Sequence, residues 1–212
     1  MSRLDLLSSF ILFIVFVVSV TLAPPEATLS YSQKIFYLHV PAAVVTYGLI
    51  AIGCVAFFIY ILKKNYRYCV LVRECLRVSF FSATIVLVTG SLWAKYAWNA
   101  FFHFEPRLVS FTILWLLLLA SLLGPRLNRS TVNYYNALLI LCLFSVPFVK
   151  FSLEILPENF QLHPKIISRG GLTDPRFEFT LYSGILFQFA VFLSCLRLSY
   201  KIEKSRFCYM YG

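Results

Sequence analysis

The amino-acid sequence predicts an all-α integral membrane protein, with six transmembrane helices and an aromatic interfacial segment between helices three and four. Of its 212 residues, 60% are hydrophobic and only 13% are charged, whereas charged residues alone make up roughly a quarter of an average soluble domain. Several apolar runs also approach the roughly 17–25 residues that a spanning helix requires. We therefore treat residues 1–212 as a single polytopic membrane domain.

The predicted helices follow from the apolar runs and from the residues that interrupt them. The first run begins after Arg3 and ends at Pro24-Pro25. We interpret it as a spanning helix rather than a cleaved signal peptide, because it is long enough to span and the paired prolines suit a cleavage site poorly. The second opens with YLHVPAAVV and places Pro41 in its first turn, where the missing N–H costs little. The predicted bounds are 4–23, 37–62, 78–93, 108–123, 134–149 and 178–198.

The basic residues predict the orientation of these helices in the membrane. A net charge of +10 would indicate a nucleic-acid partner in a soluble domain. Here Lys and Arg concentrate in short segments between apolar runs, which is the positive-inside signal. We therefore predict that the protein lies in a lipid bilayer and that it does not bind nucleic acid. Segments 63–77, 124–133 and 197–212 are predicted on the matrix or cytoplasmic side, together with both termini.

The opposite, outer side receives the aromatic segment 90–110, a long polar loop at 151–177 and the three histidines of the chain, His39, His103 and His163. Imidazole binds iron, zinc, copper and nickel, and two neutral histidines can bind haem iron from opposite faces. A structural zinc site is disfavoured because no cysteine falls on this side, and the six cysteines form neither CxxC nor CxxCH. Spacing alone favours the alternative that all three are ordinary boundary residues.

The segment Gly90–Ser110, GSLWAKYAWNAFFHFEPRLVS, holds the densest set of aromatic and polar side chains in the chain. If Trp93–Glu105 is helical, Pro106 ends it. One face of such a helix carries Trp98, Phe101, Phe102 and Glu105, and another carries Lys95, Asn99 and His103.

Two hypotheses for this segment stay open on the residues alone. Composition by itself favours an aromatic belt that anchors two helices at the membrane surface and needs no ligand. The alternative is a platform for a flat, apolar, anionic ligand such as haem. Its macrocycle stacks on aromatic rings and its propionates pair with Lys or Arg.

Three separated stretches of the chain resemble one family, cytochrome c maturation protein C, also called haem exporter protein C. KIFYLHVPAA (Lys34–Ala43) is similar to the family's segment around its first axial histidine, which is here His39. Gly90–Ser110 resembles the family's tryptophan-rich "WWD" segment, which opens with GSLWGK and closes with D-x-R-L-T-S.

The third stretch precedes the long outer loop and continues into it. VPFVKFSLE (Val146–Glu154), followed by LHP (Leu162–Pro164), resembles the family's segment leading to its second axial histidine, here His163. The three matches occur in the family's order, extend through most of the chain and share its six-helix topology.

The tryptophan-rich segment is a degenerate copy of the family pattern. Where the family has Trp-Trp and then Trp-Asp, this chain has Phe101-Phe102 and Phe104-Glu105. Trp93, Trp98 and Arg107 remain. Phenylalanine still stacks on a porphyrin and glutamate still carries a carboxylate, but the indole N–H donors are lost at these positions. His103 stands where the usual pattern has no histidine.

The resemblance implies a protein that holds non-covalent haem b on the outer face of an energy-coupling membrane. His39 and His163 would be the axial ligands of the haem iron. Pairing of Lys95 or Arg107 with a propionate is our own hypothesis and does not come from the resemblance. The implied haem platform consists of Trp93, Trp98, Phe101, Phe102, Phe104 and Glu105.

The resemblance also implies partners and a location. The family loads its haem onto a small membrane-anchored, CcmE-like haem chaperone with help from an ATP-binding-cassette complex of the CcmA/CcmB type. The phenylalanine-rich composition favours the mitochondrial inner membrane, with a bacterial plasma membrane as the alternative. We predict no enzymatic activity, because no nucleophile or acid–base pair appears in the sequence.

Two functions of other classes remain as alternatives. A transporter of haem or another small solute would need polar or ionisable groups along the bilayer midplane, where these helices offer mainly Ser, Thr and Gly. A non-catalytic structural subunit of a respiratory complex would use the aromatic segment only as an anchor.

Overall fold

The part of the chain that the structure describes forms six long helices, confirming the predicted all-α membrane architecture. The computed structural model describes residues 3–25, 30–155 and 174–211. Each of the six helices is long and apolar enough to cross a membrane. A short 3-10 helix, Tyr31–Ile35, precedes the second. The helices are α1 Arg3–Leu22, α2 Phe36–Lys63, α3 Arg67–Trp98, α4 Pro106–Leu123, α5 Val132–Ile155 and α6 Pro175–Tyr211.

The basic segment after α2 is largely helical, so the predicted loop at 63–77 was wrong. Helix α3 begins at Arg67 instead of residue 78, and α6 continues to Tyr211 instead of ending at 198. Only a tight turn separates α2 from α3, with Lys64 in the left-handed conformation at φ 51°. Its N–H donates to the Tyr60 carbonyl at 2.8 Å, which satisfies one of the last carbonyls of α2.

Buried ion pairs explain why α3 continues through charged sequence. Glu74 is fully buried, and its Oε1 lies 3.1 Å from Arg73 Nη1 and 3.5 Å from Arg77 Nη1. Arg73 Nη1 also lies 2.5 Å from Glu203 Oε1 on α6, and the Ser199 hydroxyl donates to Glu74 Oε2. Buried charges are tolerated when they are paired and hydrogen-bonded in this way. We call these five residues the charge cluster.

The helices alternate in direction, so the molecule has two distinct ends. At one end, which we call the basic end, Arg197 contacts Asp5 at 3.4 Å and the Arg129 guanidinium lies over the Tyr66 ring. The charge cluster also belongs to this end. We call the opposite end the aromatic end. It contains the start of α2, the end of α3 and the start of α4. The N-terminal start of α1 and the C-terminal part of α6 therefore meet at the basic end.

Helices α1 and α6 meet along a polar seam close to the start of α2. The Ser19 and Ser183 hydroxyls lie 2.9 Å apart, and Thr180 Oγ1 lies 3.2 Å from the Ser19 carbonyl oxygen. The Phe16 ring stacks on Phe187 with centroids 5.6 Å apart. Between membrane helices, where burial in lipid gives no hydrophobic gain, such hydrogen bonds and close packing hold neighbours together.

Candidate functional site

His39 lies in the first turns of α2, where a proline opens the backbone and α6 packs against the opening. Pro41 has no N–H, so the Tyr37 carbonyl lacks its usual helical donor. Helix α6 approaches this carbonyl at Gly184, where a Cβ would stand 2.9 Å from the Tyr37 oxygen and 3.1 Å from Pro41 Cγ. Only glycine permits this approach, and it holds the turn that carries His39 against α6.

A buried amide on α6 supports the same turn. Gln188 is 3% exposed, and its Nε2 donates to the Leu38 carbonyl at 2.9 Å. From the other side, Gln33 of the 3-10 helix donates through Nε2 to the Tyr37 hydroxyl at 3.1 Å. The two residues before His39 are therefore held in place, Leu38 by α6 and Tyr37 by the 3-10 helix.

The imidazole of His39 packs against α3. Its Nδ1 lies 3.1 Å from Thr89 Oγ1. Beside it, a Cβ added at Gly90 would stand 3.0 Å from His39 Cε1 and 3.5 Å from Nδ1. Gly90 thus forms a cradle for the ring, and the hydroxyl of Thr89 holds one of the two ring nitrogens.

The aromatic segment is only partly helical, so the continuous helix over Trp93–Glu105 that was considered from the sequence does not form. Helix α3 ends at Trp98, and Asn99 adopts the left-handed conformation with its N–H on the Lys95 carbonyl at 3.1 Å. Glu105 is extended, as expected for a residue before proline. Asparagine is one of the few non-glycine residues that readily cap a helix in this way.

Two tryptophans and His103 form a row of edge-to-face rings. The centroids of Trp93 and Trp98 lie 5.0 Å apart, and those of Trp98 and His103 lie 5.4 Å apart. Trp93 is one turn beyond Gly90 on α3, so this row begins on the side of α3 that carries the cradle of His39. The structure thereby brings His39 and the two tryptophans to one region.

The phenylalanines of the segment are more exposed than the tryptophans. Phe104 is 93% exposed and Phe101 58%, while Phe102 packs on Phe104 with centroids 5.5 Å apart. Glu105, in contrast, is only 3% exposed. The predicted platform residues therefore divide into half-buried indoles, exposed phenyl rings and a buried carboxylate.

The two predicted propionate partners lie at neighbouring helix ends. Lys95 Nζ donates to Asn99 Oδ1 at 2.8 Å and lies 5.6 Å from the centroid of Phe101, so it also stabilises the end of α3. Arg107, at the start of α4, donates through Nη2 to the Lys150 carbonyl of α5 at 3.4 Å. His163 lies outside the described residues.

His103 carries a buried nitrogen, Nε2, that has no hydrogen-bond partner among the described residues. Desolvating such a group without a partner costs free energy. We expect His103→Phe to raise the free energy of unfolding by about 1 kcal/mol, because phenylalanine keeps the ring contact with Trp98 and removes the nitrogen. Thermal unfolding in detergent measures this, with Tyr96→Phe as an exposed control. A lower midpoint for His103→Phe would contradict the expectation.

Three supporting residues were missed by sequence reasoning: Thr89, Gly184 and Gln188. Gln188 could have been found from the sequence, because it is an amide inside the apolar run FQFAVF. Burying an amide in a membrane helix costs free energy unless it has a hydrogen-bond partner, so its presence predicts one. Thr89 and Gly184 are ordinary residues of membrane helices, and only the rotation of each helix against α2 reveals their role. Within residues 3–25, 30–155 and 174–211, no group of three or more His, Cys, Asp or Glu is arranged to hold a metal ion.

The chain is similar in sequence to known proteins over most of its length. The sequence model of the family described as heme exporter protein C matches residues 1–206. A putative cytochrome c biosynthesis ccmC-like mitochondrial protein of Arabidopsis thaliana is 27% identical over 180 residues, 84% of this chain and 67% of that protein. The protein of the same description from Marchantia polymorpha is 24% identical over 136 residues, 64% of this chain and 58% of its own length.

A bacterial relative matches over a shorter stretch. Heme exporter protein C of Escherichia coli K12 is 34% identical over 92 residues, which make up 43% of this chain and 38% of that protein. The matched parts of these three relatives thus range from 38% to 67% of their own lengths.

Proposed function

The chain belongs to the heme exporter protein C family and is a multi-pass membrane protein, and from this premise we propose that it handles haem in cytochrome c maturation. In this proposal haem is the cargo, presented at the aromatic end for transfer to a membrane-anchored, CcmE-like haem chaperone. The observation that carries the proposal is the seating of His39, whose ring lies in the Gly90 cradle with Nδ1 on Thr89, beside the row of tryptophans.

The residues at the aromatic end fit a haem cargo. Imidazole is a common axial ligand of haem iron, and a histidine ligand usually has its second nitrogen hydrogen-bonded to the protein. His39 meets this condition through Thr89 at 3.1 Å. Half-buried indoles and exposed phenyl rings supply the flat apolar surface that a macrocycle needs.

His39 and His163 are the proposed axial ligands of the iron. The cargo is proposed to be haem b bound without a covalent link, since the chain has no CxxCH motif. The platform consists of Trp93, Trp98, Phe101, Phe102, Phe104 and Glu105. Lys95 and Arg107 are the proposed propionate partners. For Lys95 this pairing exchanges its hydrogen bond to Asn99 for one to a stronger, charged acceptor.

We further propose that the aromatic end faces outward and the basic end faces the mitochondrial matrix, or the cytoplasm in a bacterial membrane. The positive-inside rule supports this orientation, and the mitochondrial relatives support the mitochondrial inner membrane as the location. An ATP-binding-cassette complex of the CcmA/CcmB type is the proposed partner in haem release. The proposal gives the chain no bond-making step of its own.

The visible spectrum of the detergent-purified protein, after addition of haem, tests this function. We expect a low-spin bis-imidazole spectrum in the wild type that is lost or weakened in His39→Ala and in His163→Ala. Added imidazole should restore the spectrum of His39→Ala, because the site otherwise remains intact. A wild type that stays colourless after haem addition would overturn the haem-handling function, and the aromatic segment would then be a membrane belt.

A further inference from the structure

We infer that Thr89 is the residue that orients the haem-ligating nitrogen of His39, by accepting a hydrogen bond from Nδ1–H and so fixing the tautomer of the ring. Thr89 would be a positioning residue, with no contact to the iron of its own. The inference rests on the proposed haem-handling function and adds a residue to it.

The direction of the Thr89–His39 hydrogen bond follows from the other partners of the hydroxyl. Thr89 Oγ1 lies 2.6 Å from the Ile85 carbonyl and 3.3 Å from the Val86 carbonyl. Carbonyl oxygens only accept, and a hydroxyl has a single proton to donate. The short contact to Ile85 uses that proton. The lone pairs of Thr89 are then left to accept from His39 Nδ1 at 3.1 Å.

The tautomer decides which nitrogen can bind a metal. A neutral imidazole carries one proton, so a proton on Nδ1 leaves the metal-binding lone pair on Nε2. A hydrogen bond from Nδ1–H also raises the basicity of Nε2 and restricts rotation of the ring. Thr89 would therefore set both the orientation and the donor strength of His39.

The cradle of His39 supports the same role. Thr89 and Gly90 are consecutive residues of α3, so the hydroxyl and the space for the ring are placed together on one helix. Thr89 is 7% exposed, which shields its hydrogen bond from competing water. Because the ring is held from α3 while its backbone is held from α6, His39 is seated before any ligand binds.

Haem titration of purified Thr89→Val, which keeps the shape of threonine without its hydroxyl, tests this inference. We expect about 10-fold weaker haem binding, as is usual when a partner of a ligating histidine is removed. The midpoint reduction potential should rise, because a less basic imidazole stabilises ferric iron less. Thr89→Ser, which retains the hydroxyl, should restore both values.

Thr46→Val is the matched control. Thr46 is a fully buried threonine of α2, and its hydroxyl donates to the Ala42 carbonyl of its own helix at 2.9 Å. This variant should leave haem affinity and potential unchanged. Haem binding by Thr89→Val equal to the wild type would overturn the inference. Tighter binding would also overturn it, because it would mean that Thr89 donates to Nδ1. A wild type that binds no haem would instead overturn the proposed function.

A second measurement uses the wild-type protein, so its result does not depend on whether the Thr89 variants fold correctly. Solid-state ¹⁵N NMR of histidine-labelled, haem-free wild-type protein distinguishes the two neutral tautomers, with His39 assigned by its loss in His39→Gln. We expect the Nδ1–H form. An Nε2–H form would overturn the inference whatever the variants show.

Discussion

Replacing Glu74 with leucine is expected to destabilise the protein by about 3–5 kcal/mol, the usual loss when one partner of a buried ion pair is removed. Glu74 is fully buried and accepts from Arg73, Arg77 and Ser199. Its removal leaves two guanidinium groups without that carboxylate. The midpoint of thermal unfolding, followed in detergent by size-exclusion chromatography, measures the effect.

The control for Glu74→Leu is the ion pair between Asp174 and Arg176, which lies at the surface at the N-terminal end of α6. Hydrogen bonds from the Arg176 side chain hold the pKa of the Asp174 carboxyl below its ordinary value. Both groups are nevertheless solvated, so Asp174→Asn should leave the unfolding midpoint near that of the wild type. If Glu74→Leu unfolds at the same temperature as Asp174→Asn, the charge cluster does not stabilise the fold.

The second large effect is expected for Gly184→Ala. The added methyl group would stand 2.9 Å from the Tyr37 carbonyl oxygen and 2.9 Å from Phe16 Cε2. Backbone cannot move aside as a side chain can, so α6 must shift away from α2. We expect a loss of about 1–3 kcal/mol in stability, together with weaker haem binding because the turn that carries His39 moves.

Gly48→Ala is a matched control for that substitution. A Cβ at Gly48 would stand 2.7 Å from Phe189 Cζ, the far end of a flexible side chain that can move aside by a change in χ1. Both substitutions gain similarly in helix propensity, so the difference between them isolates the backbone clash. Equal unfolding midpoints for the two variants would show that α6 does not need its close approach to Tyr37.

The number, order and type of the helices follow from the sequence because lipid-crossing helices need long apolar runs. The start of α3 does not follow from hydropathy, since Arg73, Glu74 and Arg77 resemble a loop until their partners are known. One of those partners, Ser199, is 125 residues away from Glu74 along the chain. A rule that counts charges in a local window cannot include it.

The candidate site shows the same division between local and distant information. Pro41 predicts that His39 stands near the start of a helix, and the structure places it there. The end of α3 at Trp98 was also locally encoded, because Asn99 is a residue that caps helices and Lys95 can donate to it. The pairing of His39 with Thr89 and Gly90 depends on how α2 and α3 are rotated against each other, which their apolar surfaces do not specify.

The charge cluster has a consequence for biogenesis. Ribosomes synthesise α3 long before Ser199 and Glu203, so a nascent chain holds Arg73 and Glu74 without the α6 groups that later complete their surroundings. Arg73 and Glu74 can still pair with each other within α3, but without α6 Arg73 lacks Glu203 and Glu74 Oε2 lacks the Ser199 hydroxyl, and such incompletely paired charges oppose burial. Synthesis of α6 supplies the last partners of the charge cluster, so we expect truncated translation products ending before Ser199 to be less stable in the membrane and to be degraded by membrane proteases.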